Sequence, residues 1–578
     1  MEKRESLTFI DLTNSPKSKE TLIGLIYKIL ATDIGFVTTT TLLVLLLTGL
    51  PYLYGYLSTP VGKHFMGLML DVPDHAQYFA WMRDLTHANL VSNRMTGEFN
   101  RPVFFNLLWW LMGRTGKLLN LGYAGMYQLL RFTATPLFLG LVYLVCGWFL
   151  KERNQRRIAF LIITFTSGFG WILVALKYLT RGEILFPLDL FIAEGNSFLG
   201  VLGYPHFIAA ATYIVIFYLV LYGQTRNQIR YAFYAGLLGL FLGWQHTYDL
   251  VSVYGVLVAY ALLLTLRYRQ LPIYVIKSGL IIGILSCSPA IYSLWLTNSD
   301  PVWKRILAQF VNAGVFTPNL LHLVILFGPT FLLAIFTVVK KNPINLNTKS
   351  DNELFLLGWF LVTFLLIYLP VEYQIHLLNG WQVPMAILAT IGLFEYVNPW
   401  LQRIALSFVT KISGSENRFS LSRYLPLAFI LLIIPTNIYL LSWRFFDLSR
   451  HTYPYYLSSD EMAGMDWINK NARPDDVVLA SLTTGEYIPV LTGSHAYLAH
   501  WAQTLDYFNK TMAVNHFFSD QASPSQQDTI LKQGKVKYVF FGPAEHTSPA
   551  ISLDGNPELK KVFTSGNVFI YEYEQAQQ

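Results

Sequence analysis

From residue 36 to residue 443 the chain is written in apolar runs of 14 to 25 residues separated by polar loops. At 1.5 Å per residue, runs of this length predict helices that cross a hydrocarbon layer ~30 Å thick. About eleven are predicted, at 36–54, 126–150, 158–176, 207–222, 231–244, 250–266, 273–296, 320–339, 354–369, 383–396 and 425–443. The run at 231–244 is short, and with 250–266 it reads as a tilted or re-entrant pair.

Two departures from this pattern organise the rest. In the first long loop, 56–125, Tyr78, Trp81, Met82 and Leu85 recur at helical spacing behind Pro73 and Asp74, with Asp74 and Gln77 placed as a helix-capping pair. A second amphipathic stretch, 102–119, carries Trp109 and Trp110, residues suited to the headgroup region. Both predict interfacial helices rather than short spans. After residue 449 charge density becomes ordinary and helix alternates with strand. A capped helix is predicted at 458–471 (Ser458 with Glu461), a helix at 525–533, and strands at 477–480, 536–541 and 568–573. The reading is a polytopic α-helical membrane protein with an N-terminal segment (1–35), a membrane domain (36–448) and a C-terminal α/β domain (449–578).

Composition sharpens this picture. Hydrophobic residues make up 53% of the chain and charged residues 13%, which excludes a single soluble core. The net charge of +7 would suggest nucleic acid in a soluble protein, but the basic residues gather in short loops, so no nucleic-acid partner is expected. The N-terminal segment and alternate loops hold 20 Lys and Arg against 10 in the opposite loops before Arg444. The excess predicts a cytoplasmic N-terminus and, across an odd number of spans, an extracytoplasmic C-terminal domain. Cys146 and Cys287 both lie in apolar runs, and no phosphate-cradling Gly-rich loop with Lys is present, so neither a disulfide framework nor direct nucleotide use is predicted.

The chemistry is expected where the chain first emerges into water, at Asp71-Val-Pro-Asp74-His75-Ala-Gln-Tyr78. A carboxylate just above the bilayer can take a proton from a hydroxyl attacking an electrophile delivered from the lipid phase. Asp71 and Asp74 at i, i+3, with His75, admit a divalent cation, but no second ligand set calls for one. Other outer clusters are Tyr204-Pro205-His206, His246 with Asp249, and Glu372, Gln374 and His376.

Around Asp74 the sequence resembles membrane glycosyltransferases of the GT-C fold, including the protein mannosyltransferase and aminoarabinose transferase groups. These carry an Asp-Glu-x-x-Tyr type motif opening an interfacial helix in the first outer loop. Pro73-Asp74-His75-Ala-Gln-Tyr78 fits that pattern, with His75 in place of Glu. The resemblance implies inverting transfer of a sugar from a polyprenyl-phosphate donor to a glycan, lipid or protein acceptor, with Asp74 as base and Asp71 in support. The carrier phosphate is already a good leaving group, so positive charge beside it matters more than an acid or a cofactor, and none is required. Arg83, Arg94, Arg101, Lys304, Arg305 and His376 are the candidates for that charge. His75, Tyr78, His246, Asp249, Glu372 and Gln374 are candidates for sugar or acceptor contact, and Trp81, Trp110, Trp381 and Trp501 for stacking on sugar rings. Two other readings are a lipid-linked glycan transporter, which needs charge along a central path, and a non-catalytic envelope assembly protein.

Overall fold

The computed structural model describes residues 30–182, 187–309, 316–404, 424–546 and 551–574. The expected cytoplasmic segment 1–35 and the basic loop 403–423 therefore lie almost wholly outside the described residues.

Each of the eleven expected spans is helical. Among the described residues, six single helices are long and apolar enough to cross a membrane: Asp33–Leu57, Tyr123–Phe149, Pro205–Arg226, Asp249–Tyr268, Ile273–Ser299 and Leu320–Lys340. Two bent pairs raise the number to eight if each is one broken span: Arg153–Phe165 with Gly170–Thr180, bent by 46°, and Leu425–Ile433 with Pro435–Ser449, bent by 41°. Arg230–Gln245, Asp351–Leu366 and Gln382–Gly392 are shorter. The protein is an integral membrane protein with an α-helical spanning region.

The bends explain how apolar runs containing Gly and Pro stay satisfied. The Leu320–Lys340 helix breaks at Gly328, where φ is 57°, just before Pro329. Backbone groups freed at the breaks pair with one another: the Ser167 N–H donates to Ile433 O at 2.9 Å and the Phe169 N–H to Ile325 O at 2.7 Å. Non-helical backbone at membrane depth is tolerated where protein, not lipid, surrounds it.

The first loop forms the two expected helices, Val72–Leu85 and Leu107–Leu119, with different starts. Asp71, not Asp74, occupies the N-cap position, in a left-handed conformation (φ 42°) and without a capping side-chain bond. The expected Asp74–Gln77 cap does not form, because Pro73, which has no N–H to satisfy, fits inside the first turn and lets the helix begin at Val72. Asp74 then sits in that first turn, where the helix dipole favours a carboxylate. The second helix begins at Leu107, where the Asn106 side chain accepts from the Leu108 and Trp109 N–H groups. Trp109 is not a headgroup anchor: it is buried, stacked on Tyr78 at 4.8 Å.

In the C-terminal region the strands run in the spatial order His495–Ala496, Val477–Leu479, Val536–Phe541, Val568–Tyr573, Leu559–Ser565. The first three are parallel and the last two antiparallel to their neighbours. The Ser458–Glu461 capping box forms as expected.

This domain is sewn to the first loop. Lys63–Phe65 pairs with Tyr456–Ser458 as a small antiparallel sheet. The Ala496 N–H donates to Arg94 O at 2.9 Å, Asn93 Nδ2 to Gln503 O at 2.8 Å and Thr504 Oγ1 to Met95 O at 2.6 Å. Arg83 reaches the carbonyls of Val490 and Leu491, both at 3.0 Å. The Val72–Leu85 helix is thereby held between the membrane helices and the Leu482–Leu491 helix.

Candidate active site

A cavity of about 1600 Å³ opens over the start of the Val72–Leu85 helix. Its wall includes Asp71, Asp74, Tyr78, Trp81, Glu194, His206, His246, Tyr248, His376, His500 and Trp501. Val174, Phe191, Leu294, Leu307, Leu440 and Trp443 give it an apolar side.

The two aspartates differ in their surroundings. Asp71 Oδ2 accepts from the Tyr204 hydroxyl at 3.0 Å. Burial, reinforced by the charge of Asp74, raises the pKa of Asp71 well above the usual carboxylate range. Asp74 Oδ1 lies 2.8 Å from His500 Nε2. Burial works against its charge, but the His500 hydrogen bond, with the nearby rings of His75 and His376, outweighs it and lowers the pKa. The pKa values of these two neighbouring carboxyls are thus pushed apart.

His75 is not on the cavity wall. Its Nδ1 and Nε2 each lie 2.6 Å from a carbonyl, of Asp71 and Gly203. Burial outweighs the two backbone acceptors and lowers its pKa. The short cation-ligand set is therefore incomplete, and among the described residues no group of three His, Cys, Asp or Glu side chains is placed to hold a metal ion.

Two histidine–carboxylate pairs face the cavity from other elements. His376 Nδ1 lies 2.6 Å from Glu194 Oε1. Burial disfavours the His376 cation, but the Glu194 carboxylate outweighs it and raises the pKa. His246 Nδ1 lies 3.0 Å from Asp249 Oδ2, which also accepts from Asn379 Nδ2 at 3.0 Å. His376 stacks on Tyr248 at 5.1 Å.

Of the residues singled out from sequence, Asp71, Asp74, Tyr78, Trp81, Tyr204, His206, His246, His376 and Trp501 share the cavity wall. Asp249 is fully buried behind His246. The arginines are placed elsewhere. Arg83 grips the C-terminal domain, Arg94 pairs with Asp84 and reaches Pro474 O at 2.6 Å, and Arg305 pairs with Asp506 at 2.8 Å. Arg101, Lys304 and Glu372 are not on the wall, nor is Gln374, which accepts from the Thr317 N–H at 3.0 Å. Trp381 is buried against Phe360. Among the described residues, the Lys and Arg side chains on the wall are Lys177 and Arg444, neither singled out from sequence. Glu194 and His500 were also missed, being lone residues whose partners lie 182 and 426 positions away.

No family model matches the chain, and no curated protein sequence matches it. Among solved structures, arabinofuranosyltransferase AftD from Mycobacteria superposes with a TM-score of 0.52 at 13% identity, over 94% of this chain and 40% of that one. The chain has the GT-C fold. ArnT from Cupriavidus metallidurans, solved with undecaprenyl phosphate bound, aligns over 93% of this chain and 98% of its own at 12% identity and a TM-score of 0.47. The Archaeoglobus fulgidus oligosaccharyltransferase aligns over 86% and 69%, at 15% identity and a TM-score of 0.46. This GT-C chain spans about two-fifths of the length of AftD.

Proposed function

We propose that the protein is a membrane glycosyltransferase that moves a sugar from a polyprenyl-phosphate donor to an acceptor hydroxyl, on the extracytoplasmic side and with inversion. The observation that carries this reading is one cavity in which an apolar side meets the Asp74 carboxylate, held by His500, and the His376 ring, held by Glu194. The carrier chain lies along the apolar side. The acceptor hydroxyl attacks the anomeric carbon as the bond to the carrier phosphate breaks, and its proton passes to Asp74. A carboxylate of low pKa is a weak base, so this transfer comes late, when the sugar ring already carries positive charge. Asp71, keeping its proton, spares the site a second negative charge. His376, Lys177 and Arg444 offset the charge gathering on the departing phosphate, and His246 and Tyr78 contact sugar or acceptor. Release of polyprenyl phosphate from lipid-linked sugars by the purified protein tests the reading.

The raised pKa of His376 carries a pH dependence. Its cation is fully present below the ordinary histidine pKa and is lost as pH rises through the raised value. The Michaelis constant for donor should therefore climb as pH rises through that value. Glu194→Gln removes the group that holds the pKa up, so the climb should begin at lower pH. Donor KM measured against pH for both proteins checks this, and superimposable curves would remove His376 from the phosphate.

A further inference from the structure

We propose that the C-terminal domain is a working part of the reaction site, with His500 acting as a positioning residue that holds the Asp74 carboxylate in place. This rests on the reading of Asp74 as base. His500 lies four residues beyond the His495–Ala496 strand, in a loop leaving the carboxyl ends of the parallel strands. Open α/β sheets present their functional loops at that edge.

The ring is fixed in orientation and in tautomer. His500 Nδ1 accepts from the backbone N–H groups of Ala502 at 3.0 Å and Gln503 at 3.2 Å. Since Nδ1 accepts, the proton of the neutral ring is on Nε2, which lies 2.8 Å from Asp74 Oδ1 and donates to it. Turning the ring over would put carbon where each nitrogen stands and lose all three bonds. The loop is fixed in turn: Thr504 Oγ1 accepts from the Ala499 and His500 N–H groups, both at 3.0 Å, and donates to Met95 O of the first loop. His500 is 1% exposed, so water does not replace it. A neutral donor at this point aims the carboxylate and favours its ionised form without cancelling its charge.

Asp74 is faced by several other groups. Asp71 and His75 come from its own end of the Val72–Leu85 helix, His376 from the 374–378 turn and Glu486 from the Leu482–Leu491 helix, with the phenols of Tyr78, Tyr127, Tyr204 and Tyr248 around them. The His500 role must therefore be separated from theirs by substitution at His500 itself.

Two variants do so. In His500→Asn the amide oxygen can stand near Nδ1 and keep the backbone turn, but nothing reaches Asp74. In His500→Gln the amide N–H can stand near Nε2 and return the donor. The full-length protein in lipid should show, for His500→Asn, a kcat lower by about tenfold or more, a donor KM changed by less than about threefold, and an acid limb of kcat/KM moved up by about one pH unit. The limb moves up because loss of a donor raises the carboxylate pKa. His500→Gln should recover most of the rate and return the limb. The inference is overturned if His500→Asn matches wild type, or if both variants are equally impaired, with or without a common fall in melting temperature. A wild type that transfers from no donor overturns the functional reading, and the inference with it.

Discussion

Asp74→Asn is expected to lower sugar transfer by on the order of 10²-fold or more while the protein stays folded. The asparagine oxygen can still accept from His500 Nε2, and the residue keeps its size in a first turn that contains Pro73 and the buried Val72 and His75. What it loses is proton affinity and negative charge. The favourable term between a carboxylate and the helix N-terminus disappears as well, at about 0.3–1 kcal/mol, too little to unfold the protein. Initial rates and melting temperatures measured together separate the two effects. A variant that transfers sugar within a few-fold of wild type would show that another group takes the proton.

The second large effect is on assembly rather than chemistry. The Arg83 guanidinium donates to the carbonyls of Val490, Leu491 and Thr492 at 3.0, 3.0 and 3.2 Å, and to Asn469 Oδ1 at 2.6 Å. The three carbonyls belong to the C-terminal end of the Leu482–Leu491 helix, where orphan acceptors and the helix dipole both favour a cation. Gly493, with φ at 77°, lets the guanidinium in: a Cβ there would stand 2.9 Å from Nε. Arg83→Ala should cost ~2–4 kcal/mol, because it removes charge-assisted bonds and strands their acceptors. The loss would appear as a lower melting temperature and faster proteolysis of the C-terminal domain. Arg83→Lys should recover little, since an ammonium cannot reproduce the planar fork. A raised donor KM with an unchanged melting temperature would instead return Arg83 to the phosphate.

What could be read from the sequence follows the range of the forces involved. The apolar runs became helices because hydrocarbon thickness sets their length whatever they pack against. The Ser458–Glu461 cap was legible because both partners lie within one turn. The start of the Val72–Leu85 helix was misjudged by the same local logic: Asp74 has a capping side chain, but Pro73 suits the inside of a first turn, and the helix begins earlier. The Leu559–Ser565 strand was missed because it is an edge strand bearing exposed Lys560 and Lys561, without the apolar run expected of a buried strand.

The site divides along the same line. Asp71, Asp74 and Tyr78 share one short segment, and their grouping was evident from spacing alone. The arginines of the first loop were equally conspicuous, but whether such a residue meets a phosphate or a helix end depends on how a domain some 400 positions later docks. His500 and Glu194 are individually unremarkable in sequence and acquire roles only through Asp74 and His376. Lys177 and Arg444 lie at the ends of apolar runs, where snorkelling is the ordinary explanation, and only the cavity wall brings them to the site.

The central claim is that a sugar leaves a lipid-linked phosphate in this cavity. The most direct test is to present the purified protein in lipid with a panel of radiolabelled polyprenyl-phosphate sugars, with and without cell-envelope acceptors, and to follow both the carrier and the anomeric configuration of the product. The account predicts acceptor-dependent release of polyprenyl phosphate, a product of inverted configuration, and loss of both with Asp74→Asn. Intact donor recovered on the opposite side of the bilayer, or donor bound but never cleaved by wild type and variant alike, would contradict it.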